Sequence, residues 1–402
     1  MDVLYLQSYP QWTSMTTVHV TLIEGLAASG VRMHVACPPS ADPLVPGTLE
    51  RLAARGHPHL FPFRFLPGQS ALRRLRLLET SVELALLPRR FAKFLKYVRD
   101  NAIRIIHVPT QVRDITNGMI LSRLSGIPLV IHQHLHFQDW FRPMVKLGFR
   151  TSAGVTAVSR ATLQTAVEKG GVDARRGFVV PNAIDLATFK PNPERASEVR
   201  QSLGVPVDAP LIGMVGRTVE LKGHGRLIAA MDLVRRKIPN AHMVFVGEPD
   251  SSDPGSVAYA QEMQDEIVRR GLEGTVRFVG PRTDIPDVLA AIDLFAMPSR
   301  GEAFGLVYLE AMAAGRPIVG EASGGTMEST EDGVSSILVP PDDIESLADA
   351  LTRVLLDPAL GSRMGAAGRA RVEERFLPHH AGAAMRDAFM QIVAQNGPSK
   401  RS

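Results

Sequence analysis

The chain has 402 residues, 45% hydrophobic and 21% charged, a length that suits two domains better than one core and a composition that excludes general disorder. Its single cysteine, Cys37, excludes a disulfide framework or a multi-cysteine metal site and suits a reducing compartment. The formal charge of +4 hides an asymmetry: residues 1–190 carry 23 Lys+Arg against 12 Asp+Glu, and the rest carry 22 against 29, giving +11 and −7.

The chain opens on Met1-Asp2 with no basic-plus-apolar leader, so no secretory signal is expected and a cytoplasmic location is. No run of about 18 apolar residues predicts a membrane span. In the first half, strands are predicted at Val3–Leu6, Arg32–Ala36, Ile103–Val108, Pro128–His132, Gly154–Val158 and Gly177–Val180. Helical periodicity lies between them at Thr17–Ser29 and Arg89–Asn101. In the second half, strands are predicted at Pro210–Val215, Ala241–Val246, Val276–Val279, Leu294–Met297, Arg316–Gly320 and Ser336–Val339. Helices follow at Gly225–Lys237, Ala258–Arg270, Gly305–Ala314 and Ile344–Leu356, with a last one from Pro378 to Val393. This alternation predicts an α/β chain with two parallel, doubly wound sheets, whose ligands bind beyond the carboxyl ends of the strands. The proline-rich stretch Asp185–Pro193 marks the expected boundary. The expected domains are 1–187, 188–377 and a C-terminal helical segment, 378–402, returning to the first.

The loop after Leu294–Met297 reads PSRGEAFGLVYLEAMAAGRPIV. A glycine-containing loop opening a helix leaves backbone N–H groups free to bind an anion. Glu302 precedes that helix and Glu310 lies within it, and carboxylates accept hydrogen bonds from vicinal sugar hydroxyls. Glutamate near a helix start is also common for dipole reasons alone. Upstream, MVGRTVELKGHG puts Arg217 and Lys222 after a strand, a planar fork and a mobile point charge suited to a diphosphate. Downstream, Gly324-Gly325 follow another strand, where backbone approaches closely.

VGRTVELKG, VRFVGPRTDIPDVLAAIDLFAMPS, GEAFGLVYLEAMAAGRPIV and GGTMESTEDG occur in the order and spacing of a known family. Over roughly Pro210–Val339 the chain resembles the donor domain of retaining glycosyltransferase family 4, with the GT-B fold of two Rossmann-like domains facing across a cleft. Weaker likeness reaches the first half through VSRATLQTAVEKG and VVPNAIDLATFKP. The resemblance implies transfer of a sugar from a nucleoside-diphosphate sugar, with UDP favoured, to a hydroxyl acceptor with retention. It implies that Arg217 and Lys222 hold the diphosphate, Glu302 meets the transferred sugar and Glu310 the ribose. Phe304, Gly305 and Leu306 would offer backbone N–H groups, and Val279 to Arg282 would meet the base. His134 falls where the family carries a histidine beside the sugar. One departure stands out: where the family has two glycines in the first loop, this chain has Thr13-Ser14.

His132, His134 and His136 alternate, which on a strand would turn all three to one face. Sugar contact by His134 is the leading reading, polar packing the second and zinc the third, because no acid or cysteine accompanies them. No Asp-x-Asp motif implies a nucleotide-bridging ion, so neither metal nor cofactor is expected. Trp12 and Trp140 are candidate acceptor contacts, lipid-headgroup contacts or buried packing, and Thr13 and Ser14 are candidate acceptor contacts. The segment Leu72–Tyr97 joins Arg73, Arg74, Arg76, Arg89, Arg90, Lys93 and Lys96 to Leu and Phe at helical spacing. It reads either as an interfacial helix on an anionic membrane, with Leu75, Phe91 and Phe94 inserting, or as a surface helix with a buried stripe. With the basic first half, the membrane reading favours a peripheral enzyme and a lipid-linked or polysaccharide acceptor. A soluble anionic acceptor, a GT-B sugar-nucleotide epimerase and a non-catalytic nucleotide-sugar binder are the alternatives. Nucleic acid is not expected, since no RNA-binding signature interleaves aromatics with the basic residues.

Overall fold

The computed structural model describes residues 1–9, 14–40, 47–63, 87–138, 141, 143–186 and 192–396. The chain folds into two compact units, Met1–Asn182 joined by the segment from Pro378, and Ala183–Leu377. No helix among the described residues is long and apolar enough to cross a membrane.

The first unit holds β1 (Asp2–Leu6), β2 (Arg32–Cys37), β3 (Leu60–Pro62), β4 (Ile103–Pro109), β5 (Leu129–Gln133), β6 (Gly154–Ala157) and β7 (Gly177–Val179). They form one sheet in the order β3-β2-β1-β4-β5-β6-β7, every pair parallel. Strands covered on both faces read as continuous apolar runs, and all five residues of β1 and of β5 are buried. The short β3 escapes the sequence pattern because it is three residues ending in proline. It exists only as an edge partner of β2, where a missing N–H does no harm.

The helix Pro378–Asn396 packs along the helix Ser14–Ala28, burying Met385, Phe389 and Ile392. Two glycines let the backbones touch: a Cβ on Gly382 would lie 2.1 Å from backbone atoms of Gly25. The helix Leu87–Asp100 corrects the membrane-insertion expectation for its own residues. Phe94 and Val98 are buried in the core, and Phe91, Leu95 and Tyr97 pack against it, so its apolar stripe faces inward. Arg89, Lys93 and Lys96 remain exposed. Arg73, Arg74, Leu75 and Arg76 lie outside the described residues.

The second unit holds β8 (Leu211–Val215), β9 (His242–Val246), β10 (Val276–Gly280), β11 (Leu294–Met297), β12 (Ile318–Glu321) and β13 (Ser336–Val339), in the order β10-β9-β8-β11-β12-β13 and all parallel. From β8 the chain winds outward one way through β9 and β10, then returns to β11 and winds the other way. Helices on the two sides must diverge there, which opens a crevice beyond β8 and β11.

Candidate functional site

Both loops that border this crevice carry charge. β8 ends at Gly216, and the following turn Glu220–Lys222 presents Lys222 before the helix His224–Lys237. β11 ends at Met297, and the loop Pro298–Gly305 presents Glu302. Lys222 Nζ donates to Glu302 Oε2 at 2.5 Å, an ion pair of two largely buried side chains drawn from positions 80 residues apart. Ser299 Oγ donates to the same carboxylate oxygen at 3.1 Å.

The loops are stitched by backbone as well. Arg300 N–H donates to Leu221 O at 2.9 Å, and Arg226 donates to Pro298 O while pairing with buried Glu321 at 2.8 Å. Beyond β12, Gly325 N–H donates to Glu302 O at 2.6 Å, and Ser323 Oγ bridges Gly301 N–H and Ser299 O. Gly324 takes φ +53°, and a Cβ there would sit 2.5 Å from the Glu302 carbonyl oxygen. Glycine is therefore a steric requirement of this cradle.

Gly305, at φ +78°, turns the chain into the helix Leu306–Ala313, whose first amides have no side-chain cap. Phe304 is buried and packs edge-on to Phe376, so only its backbone is available to a ligand. Glu310 lies on this helix, half-buried, and its carboxyl meets no partner among the described residues. Desolvation pushes it up to about 7. A carboxyl partly withdrawn from water and given no donor among the described residues is suited to accept from a bound hydroxyl pair.

The crevice thus gathers Lys222, Glu302 and the backbone of Phe304, Gly305 and Leu306, with Glu310 on the adjoining helix. Arg217 follows Gly216 but is 69% exposed, its guanidinium 3.9 Å from Asp250. Val279 lies on β10, at the sheet edge. Arg282 is held by Asp284 through a two-point fork at 2.6 and 2.7 Å, a pairing that raises the arginine and lowers the carboxyl. Ser299, Ser323 and Arg226 escape sequence reasoning, since each acts only by bonding across loops that folding brings together.

His134 belongs to the first unit. β5 stops at Gln133, so the alternation that would align His132, His134 and His136 ends after its first member. The partner of His134 is instead His19, from the helix Ser14–Ala28: their Nε2 atoms are 2.8 Å apart, and His19 Nδ1 lies 2.8 Å from the Tyr5 hydroxyl. The His132 and His134 rings stand 4.1 Å apart. Trp12, Thr13 and Trp140 lie outside the described residues, and Ser14 begins its helix without a described side chain.

Profiles of two sequence families match this chain in tandem, Glycosyltransferase Family 4 over residues 15–188 and Glycosyl transferases group 1 over residues 196–371. The chain belongs to the family-4 glycosyltransferases of the GT-B fold. It is 39% identical over 189 residues to a D-inositol 3-phosphate glycosyltransferase of Corynebacterium urealyticum, covering 46% of this chain and 44% of that one. A relative with the same name from Mycobacterium tuberculosis H37Ra is 35% identical over 216 residues, 52% of this chain and 41% of that one. The chain thus spans about half the length of the curated relatives it matches. Among solved structures, Anabaena HepE in complex with UDP and glucose superposes with a TM-score of 0.76 at 25% identity, covering 97% of this chain and all of that one. A glycosyltransferase from Rickettsia africae shares the fold at 16% identity, with a TM-score of 0.76 over all of this chain and 99% of that one.

Proposed function

We propose that this protein is a retaining glycosyltransferase that moves a sugar from a nucleoside-diphosphate sugar, UDP by preference, to a hydroxyl acceptor. The observation that carries the proposal is the Lys222–Glu302 pair at the crevice of the second unit, beside the partnerless Glu310. UDP and glucose bound to a protein of the same fold support the choice of donor. A cation and a carboxylate that neutralise each other in the free protein are each ready for a different part of one ligand. A diphosphate draws Lys222, and Arg217 adds a second cation from the same loop. Glu302, released, accepts from hydroxyls of the transferred sugar. Glu310 takes the ribose hydroxyls, and the amides of Phe304, Gly305 and Leu306 face the phosphates.

As the diphosphate leaves, the charge that develops on its oxygen is met by these fixed cations, so no bridging divalent ion is invoked. Membership of a family whose enzymes retain the donor's anomeric configuration is the ground for retention: departure and attack share one face, with the diphosphate oxygen taking the acceptor proton, and no residue is assigned as a covalent nucleophile. His134 is assigned beside the sugar and the first unit to the acceptor. Its basic balance favours an acceptor on an anionic lipid or a polysaccharide, met at the cytoplasmic face of a membrane. A soluble phosphorylated polyol is the second reading, favoured by the inositol phosphate in the relatives' names.

A thermal-shift panel of UDP-, GDP- and ADP-sugars tests the donor. Free ligand at about 100 times its Kd stabilises a fold by about 2.7 kcal/mol, so a UDP-sugar should raise Tm and the others much less. A panel in which no nucleotide sugar raises Tm overturns the proposal. Product analysis with lipid-linked and phosphorylated polyol acceptors, reading anomeric configuration, separates the two acceptor readings. Donor hydrolysis without transfer to any acceptor would leave only the binder.

A further inference from the structure

The strand order of the first unit reverses between β1 and β4, and beside that reversal Tyr5, His107 and His132, with His19 from the helix Ser14–Ala28 and His134 after β5, are buried together. His19, His132 and His134 each offer one ring nitrogen, and the three nitrogens lie within 4.8 Å of one another. We propose that His19, His132 and His134 form a divalent transition-metal site, zinc by preference, inside the first unit.

Tetrahedral zinc with Zn–N bonds of 2.0–2.1 Å sets its ligand nitrogens about 3.3 Å apart. The His19–His134 contact at 2.8 Å would open by about half an ångström, and the other pairs, within 4.8 Å, would close by at most about 1.5 Å, both within side-chain torsion. Burial holds all three rings well below the usual imidazole range, so each is neutral, and the proton shared between the facing Nε2 atoms of His19 and His134 would shift to the outer nitrogen of its ring as the metal takes its place.

Two further features point to a ligand and away from simple packing. Both ring nitrogens of His132 are fully buried and meet no hydrogen-bond partner among the described residues. A neutral imidazole has one lone pair to satisfy, and a metal satisfies it where no protein donor does. His19 is oriented by the Tyr5 hydroxyl on Nδ1, which leaves Nε2 facing the other two histidines. That outer bond is the usual device for fixing the tautomer of a metal-bound histidine.

An all-imidazole set suits zinc, cobalt, nickel or copper and discriminates against magnesium and calcium. With three protein ligands the fourth position falls to water. The site would tie the first helix to the loop after β5.

Untagged protein, dialysed against chelator and then equilibrated with Co2+, Zn2+ or Mg2+, provides the test, read by metal content, cobalt absorption and Tm. One cobalt per chain is expected, with the visible absorption of four-coordinate Co2+, displaced by one zinc. Tm should rise with zinc and not with magnesium. His19→Ala and His132→Ala should abolish retention, and Tyr5→Phe should weaken it by about 10–100-fold. If the alanine variants fail to fold, the wild-type stoichiometry and the Tyr5→Phe affinity decide. Wild-type protein that retains neither cobalt nor zinc, or folded His132→Ala that retains as much as wild type, overturns the proposal.

Discussion

The two units repeat one architecture and treat the place where strand order reverses in opposite ways. In the second unit the loops after β8 and β11 meet in an ion pair, Lys222 with Glu302, amid backbone that turns through glycines. In the first unit the same topological place collects imidazoles that burial keeps neutral, tied to one another and to Tyr5. A parallel sheet supplies the crevice in both cases. What fills it sets whether the unit offers charge to a phosphorylated ligand or lone pairs to a soft one.

Acid should separate the units most strongly. In metal-free protein His107 and His134 titrate at about 3 in the fold, and His19 and His132 are likewise pushed well below 6.5, with burial the leading cause in each. The unfolded chain binds these protons more readily, so the first unit keeps its full stability above about pH 6.5 and loses it as pH falls toward about 3. Each histidine contributes up to about 1.4 kcal/mol per pH unit in that window. Asp114, raised to about 7 by burial, has the opposite sign and offsets about one of them. Amide exchange between pH 7.5 and 5, corrected for intrinsic rates, should show β1, β4 and β5 losing several kcal/mol of protection, while in β8 and β11 the opposite shifts of Glu310, raised to about 7, and His224, lowered to about 4, largely cancel. Equal losses in the two units would erase the contrast.

Lys222→Ala strikes the charged crevice directly. It removes a cation aimed at the leaving diphosphate and strands Glu302, and it should lower kcat by about 2–4 kcal/mol of transition-state stabilisation at saturating donor. Turnover within about threefold of wild type would refute the role. A double-mutant cycle with Glu302→Gln sharpens the result, since non-additivity is expected of a contacting pair.

Glycines also distinguish the units. Gly382→Ala would drive a Cβ to 2.1 Å from the Gly25 backbone and should destabilise the first unit by about 1–3 kcal/mol, leaving UDP binding intact. Gly324→Ala should instead impair donor binding, because the backbone it displaces carries Glu302. Calorimetric unfolding with and without UDP reads both, and swapped outcomes would mean that the two contacts have been given the wrong jobs.

The smallest effect is expected from Glu310→Gln. It keeps an acceptor for the ribose and removes a carboxyl that titrates at about 7, so donor affinity should drop by about 0.5–1.5 kcal/mol with kcat nearly unchanged. The raised carboxyl also makes the free second unit less stable as pH rises through about 7, a dependence that Gln abolishes. Collapse of kcat at unchanged donor affinity would move Glu310 from the ribose to the reacting sugar.

Much of this was legible from residues alone. Twelve of the thirteen strands stand out because doubly covered parallel strands must be apolar throughout, and β3 does not because it borrows its existence from β2. The helix Leu87–Asp100 left two readings open, since an amphipathic pattern states that one face is apolar and not what covers it. Packing of Phe94 and Val98 into the core decided between them. Lys222 and Glu302 were each named on local grounds, yet their pairing required two loops 80 residues apart to end at one crevice. His19 carried no local signal at all, being one polar residue on an ordinary helix.

The sequence by itself determined what depends on near neighbours: two doubly wound units, glycines where loops open helices, and carboxylates and cations at the carboxyl ends of strands. Only the tertiary structure decided which of these groups meet, which are emptied of water and which are consumed by packing. The physical reason is that desolvation and contact are set by the whole fold. A buried imidazole at His132 or a partnerless carboxyl at Glu310 has its character from residues far away along the chain.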